Sequence, residues 1–136
     1  MSGMPAAVYT GDGNVAVETL PIPEPVSGEA LVEVSHCGIC GTDLHLVLEQ
    51  YARAGSVLGH EWAGTVVAVG DNADGAWVGT RIVAQPAPAC GACRACRRGR
   101  PAVCLRKPPP DHFAGRGAFC RFVVVPIARL LAVPAA

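Results

Sequence analysis

"AAVYTGDGNVAVETL", residues 6–20, decides the fold class. Its centre, from Gly11 to Ala16, fits the loose dinucleotide fingerprint G-x-G-x-x-A. That fingerprint works only where a helix follows, because the helix N-terminus must meet a pyrophosphate. Here an alternating strand pattern follows instead. The runs 6–10 and 15–20 flank "GDGN" (11–14), whose Gly and Asn tolerate positive φ. The stretch therefore reads as a β-hairpin, and no other part of the chain supplies a nucleotide-binding βαβ unit.

Working outward, short β-type runs dominate. "PIPEP" (21–25) is an extended connector, and "EALVEVSHC" (29–37) alternates as a half-buried strand should. "GTVVAVG" (64–70) and "TRIVAQ" (80–85) are β-branched runs with glycines near their ends. "FVVVP" (122–126) and "RLLAVP" (129–134) close the chain. One segment, 42–53, reads as helix. Leu44, Val47, Leu48 and Tyr51 fall at i, i+3, i+4 and i+7, and Thr42 is placed to cap the start. Many short strands with one short helix predict a mainly β fold, a small barrel or a strongly bent sheet.

The 136 residues fit one domain, 1–136, large enough to bury a core without cross-links. Lys plus Arg and Asp plus Glu both count 11, so no basic excess points to nucleic acid. The start has no basic head and no apolar run, and nothing approaches membrane-spanning length. The expected compartment is the cytoplasm, where thiols stay reduced. Seven cysteines there point to metal or catalysis rather than a disulfide frame.

Four of them lie in "CGACRACRRGRPAVC" (90–104), spaced Cys90-x2-Cys93-x2-Cys96-x7-Cys104. Four thiolates with no open position make a closed, structural zinc site. An iron–sulphur cluster is the competing reading, but its bacterial motif continues with x3-C-P, whereas here the gap is seven. A tetrathiolate zinc site carries a formal charge of about −2. Arg94, Arg97, Arg98 and Arg100 are expected to offset it, with an anion-binding patch as the alternative. The lobe is expected to span about 86–107.

Cys40 in "HCGICGTDLH" (36–45) and His60 in "GHEWAGTVVAVG" (59–70) supply further candidate ligands. Taken singly, each is more simply a buried thiol and a satisfied imidazole. Together with "CGICGTD" (37–43), the four-cysteine lobe and "GAFCRFVVVP" (117–126), they make the chain resemble the zinc-dependent medium-chain dehydrogenases, the alcohol dehydrogenase family. The resemblance covers nearly the whole chain.

That resemblance implies a GroES-like β-barrel catalytic domain with a four-cysteine zinc lobe. It implies that Cys40 and His60 ligate a catalytic Zn2+ and that Glu61 is a nearby carboxylate or transient ligand. It makes Asp43 the carboxylate that orients His60, Thr42 the hydroxyl that takes an alcohol proton, and His45 the next relay station. Cys90, Cys93, Cys96 and Cys104 become structural zinc ligands. The implied reaction interconverts an alcohol and an aldehyde or ketone, with hydride passing to NAD or NADP in the intact enzyme. Its substrate is a small alcohol or carbonyl compound, and the parent enzyme is expected to be a homodimer or homotetramer.

The chain departs from the family pattern in places. The family's third catalytic zinc ligand and its Rossmann domain lie beyond Ala136. The 136-residue chain alone is therefore expected to show no NAD(P)-dependent turnover. Gly41 stands where some relatives carry a basic residue facing the cofactor phosphates. Cys37 and Cys120 are expected to be buried, inert thiols. His36 and His112 are expected to be surface or capped residues. A stand-alone zinc-stabilised barrel acting as a binding module is the competing reading. It leaves Thr42, Asp43, His45 and Glu61 without a reason to accompany Cys40 and His60.

Overall fold

The alternation read at 6–20 becomes a long hairpin. In the computed structural model, which describes residues 3–85, 89–107 and 115–134, β1 (Gly3–Gly11) pairs antiparallel with β2 (Asn14–Pro21). Asp12 and Gly13, at φ 51° and 73°, form a two-residue turn whose positive dihedrals match the strand twist. The dinucleotide alternative is thereby excluded for this stretch.

A two-residue strand, β4 (Ser56–Val57), adds to the other side of β1. The second sheet has the order β7-β3-β5-β6-β8. It comprises β3 (Glu29–Gly38), β5 (Glu61–Val69), β6 (Arg81–Ala84), β7 (Phe122–Pro126) and β8 (Leu130–Ala132). All its pairs are antiparallel. The fold is mostly β, as read from the sequence.

Apolar side chains from this sheet, Val32, Val66 and Ile82 among them, form the main core. Ala6, Val8 and Val57 form a smaller one under the first sheet. The segment 115–121 stitches the two sheets together. Its Phe119 carbonyl accepts from the Ala7 N–H at 2.7 Å, and the Ala118 N–H donates to the Gly59 carbonyl at 3.0 Å.

The β3–β5 ladder carries two irregularities. The register skips Val67 on β5 between Leu31 and Val32, then skips Ser35 on β3 between Val34 and His36. Each is a bulge of one residue, on opposite strands. The offsets cancel, and Cys37 faces Trp62 while Gly38 faces Glu61. The Ser35 hydroxyl donates to the Ala63 carbonyl at 3.1 Å, so the skipped residue is tied to the neighbouring strand.

The predicted helix is shorter and turned differently than its apolar spacing implied. α1 runs Gly41–Leu48, with Cys40 rather than Thr42 at the N-cap. It buries Asp43 and Leu46, whereas Leu44, Leu48 and Tyr51 are exposed. The hydrogen bonds of buried Asp43 fix the helix orientation, and the apolar stripe read from the sequence faces outward. The chain leaves the helix at Gln50, at φ 59°, so Tyr51 lies beyond its end. A second helical turn, α2 (Arg94–Arg97), lies inside the cysteine lobe and was not read from the sequence.

Candidate metal centres

The first cluster is assembled from two places in the chain. Cys40 sits where β3 gives way to α1, and His60 and Glu61 sit at the start of β5. Their candidate ligand atoms all lie within 4.8 Å of one another. Cys40 and His60 are half-buried, and Glu61 is exposed. A soft sulphur, an imidazole nitrogen and a carboxylate oxygen at this spacing form a donor set that suits zinc.

Asp43 holds the two places together. It is 2% exposed. Its Oδ2 accepts from the Cys40 N–H at 3.0 Å, and its Oδ1 accepts from the Gly59 N–H at 3.1 Å. The same Oδ1 lies 3.5 Å from Nδ1 of His60. A carboxylate facing one ring nitrogen orients the imidazole and leaves the other nitrogen for a metal. Position 59 must be glycine for two reasons. Its φ is +90°, and a Cβ there would lie 2.8 Å from Phe119 Cδ1 and 2.9 Å from Cys37 Sγ. The sequence shows that glycine but gives no sign of the Phe119 ring that closes over it.

Thr42 and His45 are exposed on α1. Thr42 Oγ1 lies 3.7 Å from Cys40 Sγ. His45 Nδ1 is 2.9 Å from Glu49 Oε1, a contact missed in the sequence although its i,i+4 spacing was visible there. His36 is exposed, with Nδ1 3.2 Å from the Ser35 hydroxyl. His112 lies outside the described residues.

In the second cluster, Cys90, Cys93, Cys96 and Cys104 bring their sulphurs within 4.8 Å of one another. Cys93 is buried at its centre, 3.5 Å from the Cys96 sulphur and 4.0 Å from that of Cys104. Four sulphurs at this spacing match a closed tetrahedral zinc site. The N–H groups of Cys90 and Arg106 point at Cys104 Sγ, at 3.3 and 3.4 Å. The Cys93 N–H points at Cys90 Sγ at 3.3 Å. Backbone N–H groups of Cys96 and Leu105 pull the Cys93 thiol down to about 6, and those of Cys90 and Arg106 lower Cys104. Desolvation pushes Cys96 the other way.

Arg94, Arg97, Arg98 and Arg100 were expected to offset the charge of this site. All four are exposed, and the donors seen at the sulphurs are main-chain N–H groups. A tightly wound loop turns its amides inward, which leaves long side chains to the solvent.

Cys37 and Cys120 belong to neither cluster. Both are half-buried beside the main core. Burial raises each thiol to about 11, helped at Cys37 by the negative Asp43. They are weak nucleophiles, as expected from the sequence. A thioredoxin-like role for Cys37 and Cys40 finds no support, because Cys37 lies within β3 rather than at a helix start.

The sequence profile of the alcohol dehydrogenase GroES-like domain matches residues 26–135. The chain belongs to that family. A sorbitol dehydrogenase from Bacillus subtilis (strain 168) is 38% identical to this GroES-like domain over 132 residues, covering 88% of the chain and 35% of the relative. An L-threonine 3-dehydrogenase from Stenotrophomonas maltophilia (strain K279a) is 36% identical over 126 residues, covering 87% and 36%.

Solved structures agree. The acetophenone reductase of Geotrichum candidum NBRC 4597, in complex with NAD, aligns at TM-score 0.81 and 29% identity, covering 98% of this chain and 41% of its own. The cobalt- and zinc-bound alcohol dehydrogenase of Pyrobaculum aerophilum aligns at TM-score 0.83 and 26% identity, covering 98% and 42%. The GroES-like domain thus spans a little over one third of the curated relatives' length. Among the described residues, no helix is long and apolar enough to cross a membrane.

Proposed function

We propose that this chain is the zinc-binding catalytic domain of an NAD(P)-dependent alcohol dehydrogenase, interconverting a small alcohol and its aldehyde or ketone. The observation that carries the reading is the Cys40–His60–Glu61 cluster, with Thr42 beside it, in a chain of this family. Cys40 and His60 would hold the catalytic zinc, with Glu61 a nearby or exchanging ligand. Cys90, Cys93, Cys96 and Cys104 would hold a structural one. The whole of residues 1–136 is read as this one domain, working in the cytoplasm within a homodimer or homotetramer.

A zinc ion at the first cluster supplies Lewis acidity toward an alcohol or carbonyl oxygen, and NAD or NADP carries the hydride. The chain's own residues manage position and protons. Asp43 fixes the N–H groups on both sides of the cluster and faces the His60 ring, so the donors are set before substrate arrives. The Thr42 hydroxyl accepts the alcohol proton and passes its own onward. His45 receives that proton and, being more than half exposed, returns it to water. Carbonyl reduction runs the same path in reverse.

Thr42→Val in the whole protein tests this. Alcohol oxidation is expected to fall about 100- to 10,000-fold with zinc content unchanged. Turnover within a factor of two of the parent would remove Thr42 from the relay.

A further inference from the structure

The relay leaves one question open on the chain's own residues: which nitrogen of His45 accepts the proton. Thr42, His45 and Glu49 follow one another at i, i+3 and i+7, so they share one ridge of α1 and its C-cap. The ridge starts beside the cluster, where Thr42 Oγ1 lies 3.7 Å from Cys40 Sγ. It ends at the carboxylate of Glu49, 2.9 Å from Nδ1 of His45. The Tyr51 ring lies against the His45 ring, with centroids 5.5 Å apart and planes tilted by 50°.

Helix energetics do not account for Glu49. It sits at the C-cap, where the carbonyl dipoles disfavour an anion. A pair with the acidic residue C-terminal to its partner is also in the less favourable order. Both side chains are more than half exposed, where such contacts add little stability. What the contact does determine is hydrogen-bond chemistry. A carboxylate only accepts, so a neutral His45 bonded to it must carry its proton on Nδ1.

We propose that Glu49 is a positioning residue that holds the neutral His45 ring with its proton on Nδ1 and its lone pair on Nε2. Nε2 then accepts the proton released through Thr42. The resulting imidazolium keeps its Nδ1–H on Glu49 and loses the Nε2 proton to water, which restores the starting ring. The inference rests on the relay role given above to Thr42 and His45.

The chain has only four histidines, so long-range proton–nitrogen NMR on the zinc-loaded, nitrogen-15-labelled chain can read His45 directly. The Nδ1–H form is expected to be the major neutral tautomer in the parent. Glu49→Ala should move the majority to Nε2–H, because unbonded imidazole side chains favour that form. Glu49→Gln should keep Nδ1–H, since the amide oxygen still accepts. An Nε2–H majority in the parent, an unchanged ratio in Glu49→Ala, or loss of Nδ1–H in Glu49→Gln would each overturn the proposal. Turnover of the whole protein separates the two claims. A tautomer shift in Glu49→Ala with turnover unchanged would uphold the Glu49 contact and sink the relay reading of His45.

Discussion

The two clusters solve the same problem by opposite routes. The lobe takes four sulphurs from fifteen consecutive positions, 90–104, and its own backbone supplies the N–H groups that face them. The Cys40–His60–Glu61 cluster takes three different donors from segments about twenty residues apart, and a buried carboxylate joins those segments. A closed set of like ligands suits a structural ion. A mixed set at the meeting of two elements leaves room for something else to bind. The lesson is that the lobe depends on its ligands, whereas the other site depends on a residue that need not touch metal.

The largest effect expected from that contrast is at Cys93. Cys93→Ser should cost about one zinc per chain and more than about 3 kcal/mol of stability, while the metal at Cys40 and His60 is retained at first. Elemental analysis beside thermal unfolding would read both. Loss of the other metal with the lobe still filled would reverse the assignment.

Next in size is Asp43→Ala. It leaves the N–H groups of Cys40 and Gly59 without their acceptor in a buried setting, at a cost of about 3 kcal/mol. Metal affinity at the Cys40 cluster should also fall about 10- to 100-fold, with the lobe unaffected. Denaturant unfolding and a competitive chelator titration would report the two parts. Equal weakening of both clusters would break the comparison.

A subtler sharpening comes from the two cysteines in neither cluster. Raised to about 11, Cys37 and Cys120 hold their protons at pH 8. Their thiolate fraction there is about 100-fold below that of an ordinary thiol. After chelation, mass spectrometry should find Cys93 and Cys104, whose thiols backbone N–H groups lower, alkylated well before these two. Equal labelling would contradict their burial.

The smallest effect is reserved for the arginines. Because main-chain N–H groups face the lobe sulphurs, Arg98→Ala should change stability by less than about 0.5 kcal/mol and leave zinc stoichiometry intact. A measured loss of lobe zinc would restore the arginines as its counter-charge.

Much of this was legible in the sequence for physical reasons. The hairpin at 6–20 declared itself because period-two alternation around the turn-forming "GDGN" leaves few alternatives. The lobe declared itself because its ligands are neighbours in the chain. The family resemblance supplied Cys40, His60 and Glu61, which the structure brings together although nothing in their spacing requires it. The orientation of α1 was not legible. Leu44, Leu48 and Tyr51 form an apolar stripe, and such a stripe marks a core face only if no stronger contact turns the helix. Asp43 is that contact, and its partners, the N–H groups of Cys40 and Gly59, carry no sequence signal because every residue but proline has one. The amides that face the lobe sulphurs were not legible for the same reason, since charge counting sees side chains and not main-chain N–H groups.

The bulges in the β3–β5 ladder act as slack in the strands. Val34 pairs with Gly64 and His36 with Ala63, so the extra residue Ser35 lets the even-numbered Val34 and the odd-numbered Cys37 both pack against the main core. Removing Ser35 would leave those pairings and faces in place in a regular ladder, at the loss of its hydroxyl contact to Ala63. Val67 is the corresponding unpaired residue on β5. At these two points the chain can shorten by one residue without re-aiming the side chains that follow.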